Sequence, residues 1–181
     1  MSKSIRIILT GASGVGKSTL VEKFIKEHPE YYRPPSFSRP MNLMLGFPLN
    51  EDATHESQYA TTAFMSHQIL THNNLIYDRG IIDCLAYTNL SKNISKSQYK
   101  KHKMDFMPIF EKVDILHLYI PIEFDMKDDG IRSKDEKYRR KTDKFMKKFL
   151  DKNNIFYETL TGTVDERYEQ MLNAIEAQQI F

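Results

Sequence analysis

Short apolar runs alternate along this chain with longer stretches whose apolar residues recur every three or four positions. Ile5 to Thr10 (Ile-Arg-Ile-Ile-Leu-Thr) is almost continuously aliphatic, the pattern of a strand covered on both faces. Leu75-Ile76-Tyr77-Asp78, Ile115 to Ile120 and Ile155 to Leu160 repeat it. Between them, Lys17 to Glu27 has helical spacing, with Leu20, Val21, Phe24 and Ile25 on one side and Pro29 as its stop. Asp52 or Thr54 can cap a long helix to about His72, with Tyr59, Ala63, Phe64, Ile69 and Leu70 as its apolar side. Gly80 to about Leu90 reads as a helix, and Ser95 can cap another that runs to about Phe110. Tyr138, Thr142, Phe145 and Phe149 mark a helix to about Lys152. Thr163 to Glu166 is a capping box for a last helix with Met171, Leu172 and Ile175 inward.

From Tyr31 to Phe47 the periodicity fails. Pro34, Pro35, Pro40 and Pro48 argue against long regular elements, and a short edge strand near Ser36–Ser38 is the most this segment predicts. Strands alternating with helices imply parallel pairing through right-handed crossovers. With 181 residues, the chain suits one domain.

Composition changes this picture little. The formal net charge of +2 gives no global pull toward nucleic acid or membrane. No run approaches the about 18 apolar residues that span a bilayer, and no secretory h-region is present. The single cysteine, Cys84, fits a reducing compartment, so a cytoplasmic protein is expected. The six histidines lack metal-ligand spacing, and Cys84 on a helix suits a core.

The chemistry begins after the first strand. Gly11-Ala12-Ser13-Gly14-Val15-Gly16-Lys17-Ser18 is a complete Walker A pattern set between a strand and a helix. Its glycines let backbone N–H groups approach phosphate oxygens, and the helix N-terminus adds to that cradle. Lys17 reaches the β- and γ-phosphates of ATP, and the Ser18 hydroxyl is a ligand for Mg2+. Thr19 is placed at the α-phosphate by comparison with other such loops. Asp78, at the carboxyl end of a strand, is positioned to hold the same metal, and Arg79 to contact a phosphate. Between Arg132 and Lys148 lie nine basic residues against three acids. Arg132, Arg139 and Arg140 are candidates for a lid over the transferred group, about 127–140, with Gly130 lending mobility.

These blocks carry a resemblance. Gly11–Thr19, Asp78-Arg79-Gly80 and Asp128-Asp129-Gly130-Ile131-Arg132-Ser133 look like the P-loop kinase family that contains the ribosylnicotinamide kinase domain of NadR-type proteins and related small phage ATPases. The Asp-Arg block is also similar to that of thymidylate and deoxynucleoside kinases. The likeness covers nearly the whole chain, most weakly Glu30–Glu51. It implies a three-layer α/β P-loop NTPase fold with a five-stranded parallel sheet, and transfer of the ATP γ-phosphate to a small nucleoside-like acceptor. Lys17 and Ser18 carry over as phosphate and Mg2+ ligands, Asp78 as the metal-side acid, Arg79 as a phosphate contact, and Arg132 and Arg139 as lid arginines.

One departure matters. Such kinases often place an acid three residues before an arginine after the second strand, as base for an acceptor hydroxyl. Here Ser36 precedes Arg39 at that spacing, and no acid lies between Tyr31 and Asn50. A phosphate acceptor needs no base, since it is already an anionic nucleophile. A nucleoside monophosphate is therefore slightly favoured over a nucleoside or nicotinamide riboside, with Asp83, Glu51 or Asp52 as other sources of a base. Arg33 and Arg39 are candidates for the acceptor phosphate, Phe37 (with Tyr32 or Phe47) for stacking and Gln68 for a base edge, with Ser36 in the same acceptor site. The competing readings are a polynucleotide-directed kinase, motivated by the basic stretch, and an NTPase that transfers to no acceptor. A monomer or homodimer is expected.

Overall fold

The computed structural model describes residues 5–124 and 135–180, apart from the side chains at 38, 39, 179 and 180. Four strands form a parallel sheet: β1 (Arg6–Thr10), β2 (Leu75–Tyr77), β3 (Ile115–Tyr119) and β4 (Tyr157–Thr159), in the order β2-β1-β3-β4. The register pairs Ile7 with Ile76 and with Leu116. β1 and β3 are covered on both faces, which is why their sequences are continuous apolar runs.

On one face Ile7, Leu9, Leu116 and Leu118 pack on α1 (Lys17–Glu27) and α8 (Val164–Ile180) through Val21, Phe24, Met171 and Ile175. On the other, Ile8, Tyr77 and Tyr119 meet α3 (His55–Thr71), α4 (Ile81–Leu90) and α7 (Glu136–Lys152). α5 (Lys96–Phe106) packs outside α4. The three-layer α/β P-loop NTPase arrangement is therefore present.

Several elements differ from the sequence expectation. Among the described residues the sheet has four strands rather than five. At the fifth position a single parallel bridge joins Tyr32 to Leu75, with Ile76 N–H donating to the Tyr32 carbonyl at 3.0 Å. Arg33 is followed by Pro34 and Pro35, which have no N–H to continue a ladder. Instead of an edge strand there is α2 (Ser38–Leu45). Pro40 fits its first turn, and Gly46 closes it at φ 68 while Phe47 N–H reaches back to the Asn42 carbonyl at 2.8 Å. The helix that starts at Ser95 ends at Phe106, and a short α6 (Ile109–Lys112) follows Pro108. Thr54, not Asp52, caps α3 through the Ser57 N–H.

The face assigned to α3 also changes. Ala63 and Leu70 are exposed, and the buried side carries Gln58, Thr61, Thr62, Ser66 and Gln68 beside Met65 and Ile69. Thr61, Thr62 and Ser66 donate to carbonyls one turn back at 2.7–2.8 Å, so their hydroxyls are buried without penalty. That polar side turns toward a cavity and toward buried His102.

Candidate active site

The phosphate loop joins β1 to α1 at the carboxyl edge of the sheet. Ala12 and Val15 drop into the core and anchor it. Gly16 takes φ 94, open to glycine at little cost, and directs the chain into α1. Lys17 is 8% exposed, with its ammonium held by the Gly11 carbonyl and, at 2.8 Å, by that of Ala12.

Ser18, in the first turn of α1, donates to Asp78 Oδ2 at 2.6 Å. Asp78 leaves β2, whose tight packing on β1 depends on Gly80: a Cβ there would lie 2.5 Å from Ile8 Cγ2. The Arg79 guanidinium stands 5.7 Å over the Tyr87 ring. Burial opposes its charge, yet Tyr87, Asp83 and Asp78 outweigh that and hold its pKa above the ordinary value. Asp83 is 1% exposed and accepts from Gly80 N–H at 3.0 Å, the cap of α4. Burial pushes its carboxyl above the usual value, against the pull of Lys17, Arg79 and the N–H groups of Gly80 and Gly11.

Two cavities meet here. One, of about 270 Å3, is lined by Ser13–Thr19, Asp78, Arg79 and Phe124. The other, of about 170 Å3, lies between α2, α3 and α4 and includes Ser36, Phe37, Asn42, Gln58, Tyr77, Asp83 and Tyr87. Ser18, Asp78 and Arg79 belong to both.

The acceptor-side expectations divide. Ser36 and Phe37 line the second cavity, and Phe37 stacks on Phe64 at 4.1 Å. Arg33 lines neither cavity; its guanidinium lies 4.0 Å from Asp78, which lines both, and 3.6 Å from Glu22. Arg39 lies in α2, its side chain outside the described residues. Gln68 lines neither cavity; its amide meets His67 at 3.4 Å, while Gln58, on the same helix, occupies the cavity wall. Glu51 and Asp52 line neither, and Asp52 pairs with Lys92. Cys84 is buried in the core beside Met65, its thiol pKa pushed up to about 12 by burial.

The lid expectation is altered. Arg132 and residues 127–134 lie outside the described residues. Arg139 is 3% exposed and does not reach out as a mobile arm. It donates to the Ser13 carbonyl at 2.8 Å and the Phe124 carbonyl at 3.1 Å, and pairs with Glu136, so it braces the loop. Arg140 is exposed and pairs with the same glutamate at 3.3 Å.

A second brace was not expected. Arg167 of α8 is 2% exposed, donates to the Val15 carbonyl at 2.7 Å, pairs with Glu123 and stacks 5.1 Å from the Phe124 ring. Its hydrogen bond holds the Glu123 carboxyl below its ordinary pKa. The signal was present: Arg167 shares one helix stripe with Met171 and Ile175, an apolar stripe that a lone charge interrupts.

The family model described as AAA domain (AAA_28) matches residues 6–167, so the chain belongs to that family. No curated protein matches. Among solved structures the fold is similar to the NadR protein in complex with NR, with TM-score 0.77 and 16% identity over 98% of this chain and 52% of that one. The chain thus spans about half the length of that protein. It is similar to thymidylate kinase from Candida albicans (TM-score 0.70, 20% identity, 98% and 93% of the two chains). It is also similar to deoxyadenosine kinase from M. mycoides (0.67, 16%, 96% and 100%).

Proposed function

For this member of the AAA domain family, we propose an ATP-dependent phosphotransferase that moves the γ-phosphate of ATP to a small nucleoside-like acceptor, with a nucleoside monophosphate slightly favoured. The observation that carries the reading is the pair of adjoining cavities with Ser18, Asp78 and Arg79 in their common wall. A triphosphate cradle alone serves hydrolysis; a second cavity opening on the same three residues is what transfer to an acceptor requires. The similar folds of a thymidylate kinase, a deoxyadenosine kinase and NadR support it by analogy.

Ser18 and Asp78 offer two hard oxygens 2.6 Å apart, a donor set that suits Mg2+, which takes one or two protein oxygens and completes its shell with phosphates and water. Bound MgATP would supply the transferable phosphoryl group and neutralise its charge. Lys17, released from the loop carbonyls, would contact the β- and γ-phosphates. The backbone N–H groups of residues 13–19 would cradle the chain of phosphates. Arg79, shared by both cavities, would stabilise charge on the moving group. Arg33 would hold an acceptor phosphate, and Phe37 would stack on a base. Ser36 cannot act as a base, and Asp83 already caps α4. An acceptor that arrives as an anion fits this wall better than a hydroxyl that must lose a proton. Arg139 and Arg167 would keep the Ser13 and Val15 carbonyls turned away from the phosphates.

ADP release should be measured with nucleosides, their 5′-monophosphates and nicotinamide riboside as acceptors. Turnover that depends on a monophosphate supports the reading. Hydrolysis at one rate whatever acceptor is present would reject it.

A further inference from the structure

We propose that Asn42 reads the heterocycle of the acceptor, so that the acceptor carries an amide-type edge, with a hydrogen-bond donor and acceptor side by side. Asn42 is 0% exposed and belongs to the wall of the second cavity. Neither its side-chain oxygen nor its nitrogen has a hydrogen-bond partner among the described residues. A buried amide left in that state carries the desolvation penalty of both polar groups with no hydrogen bond to offset it. Leu or Met would fill the position without that cost. The helix does not require it either: α2 closes through the backbone carbonyl of Asn42, which any residue supplies.

The rest of the wall suits a flat ring. Phe37 is held parallel to Phe64, with rings 9° apart, and Tyr77 and Tyr87 line the same space. An asparagine amide pairs two-fold with the edge of a nucleobase or with a carboxamide, and such pairing carries much of the discrimination in polar sites. A polyol or sugar acid presents no such edge.

This rests on the phosphotransferase reading, and the experiment separates the two. Wild type, Asn42→Leu and Asn42→Asp are assayed with MgATP against nucleosides, nucleoside monophosphates, nicotinamide riboside and a set of polyols and sugar acids. Thermal unfolding is measured on each variant. The expected result is transfer to a base-bearing or carboxamide-bearing compound. Asn42→Leu should raise the acceptor KM about tenfold or more, leave the KM for ATP unchanged, and keep or raise Tm. Asn42→Asp, which can only accept, should reorder the acceptors. An unchanged acceptor KM in Asn42→Leu overturns the inference and leaves the phosphotransferase standing. So does transfer to polyols or sugar acids alone. If no compound is phosphorylated while ATP still binds, both fall. A collapse of Tm in Asn42→Leu would mark the amide as structural and also overturn it.

Discussion

The loop around Lys17 and the segment around Asn42 border the same three residues, Ser18, Asp78 and Arg79, yet they are built in opposite ways. The loop is over-determined. Its apolar residues are core, its carbonyls at Ser13 and Val15 are tied to Arg139 and Arg167, and its lysine lies on its own backbone. The other segment follows two prolines, forms one eight-residue helix, exposes Leu43, Met44 and Leu45 and buries an amide with no partner among the described residues. Phosphate chemistry is common to every triphosphate, so a rigid cradle serves it. An acceptor has individual features, and the wall proposed to meet them holds the Asn42 amide, which has no partner among the described residues.

The largest effect should come from the rigid side. Lys17→Ala removes the ammonium that the loop itself supplies and should lower turnover by about 10³-fold, while circular dichroism remains native. Turnover within a few-fold of wild type would remove the loop from the chemistry. Next is the brace: Arg167→Met strands the Val15 carbonyl and Glu123 and should cost roughly 2–4 kcal/mol, read by urea unfolding. The same urea midpoint as wild type would show that Arg167 does not hold the loop.

Acid should act on the α3 side instead. Burial lowers the pKa of His102 to about 4, and likewise that of His117. His102 sits between Thr62 and Thr88, and His117 packs near Phe110. Their folded pKa lies below the unfolded 6.5, so the unfolded chain binds the extra protons. Their contribution is complete above pH 6.5 and is lost as pH falls toward 4, on the order of 3 kcal/mol for each. Asp83 and Asp143, raised by burial, oppose this loss. His102→Gln should therefore flatten the fall in unfolding free energy between pH 6.5 and 4, and an unaltered slope would contradict the account. The smallest effect is Thr54→Ala, which uncaps α3 and should cost about 1 kcal/mol. Because α3 carries Gln58 and Thr61 into the second cavity, the proposed acceptor side, its KM for acceptor should rise before its KM for ATP does.

The same contrast explains what was legible in the sequence. Gly11–Ser18 is one contiguous motif, and the strands that flank it are buried on both faces, so composition reveals them. α3 misleads because its buried side is threonine, serine and glutamine, while Ala63 and Leu70 face out. An apolar pattern finds only part of the buried side of such a helix: it includes Ile69 but passes over Gln58, Thr61 and Thr62. Asn42 was invisible: its helix arises from Pro40 and Gly46, in a stretch where four prolines argued for irregular chain. Arg139 and Arg167 were readable as charges, but not as braces, because their partners are backbone carbonyls over a hundred residues away.

The central claim is that the two cavities are the donor and acceptor halves of one transfer site. It is tested most directly by following the label from γ-phosphate-labelled ATP in a single turnover with nucleoside monophosphates and Mg2+. The account predicts label in a nucleoside diphosphate, absent with Lys17→Ala. Label found only in inorganic phosphate, at the same rate with and without acceptor, would contradict it.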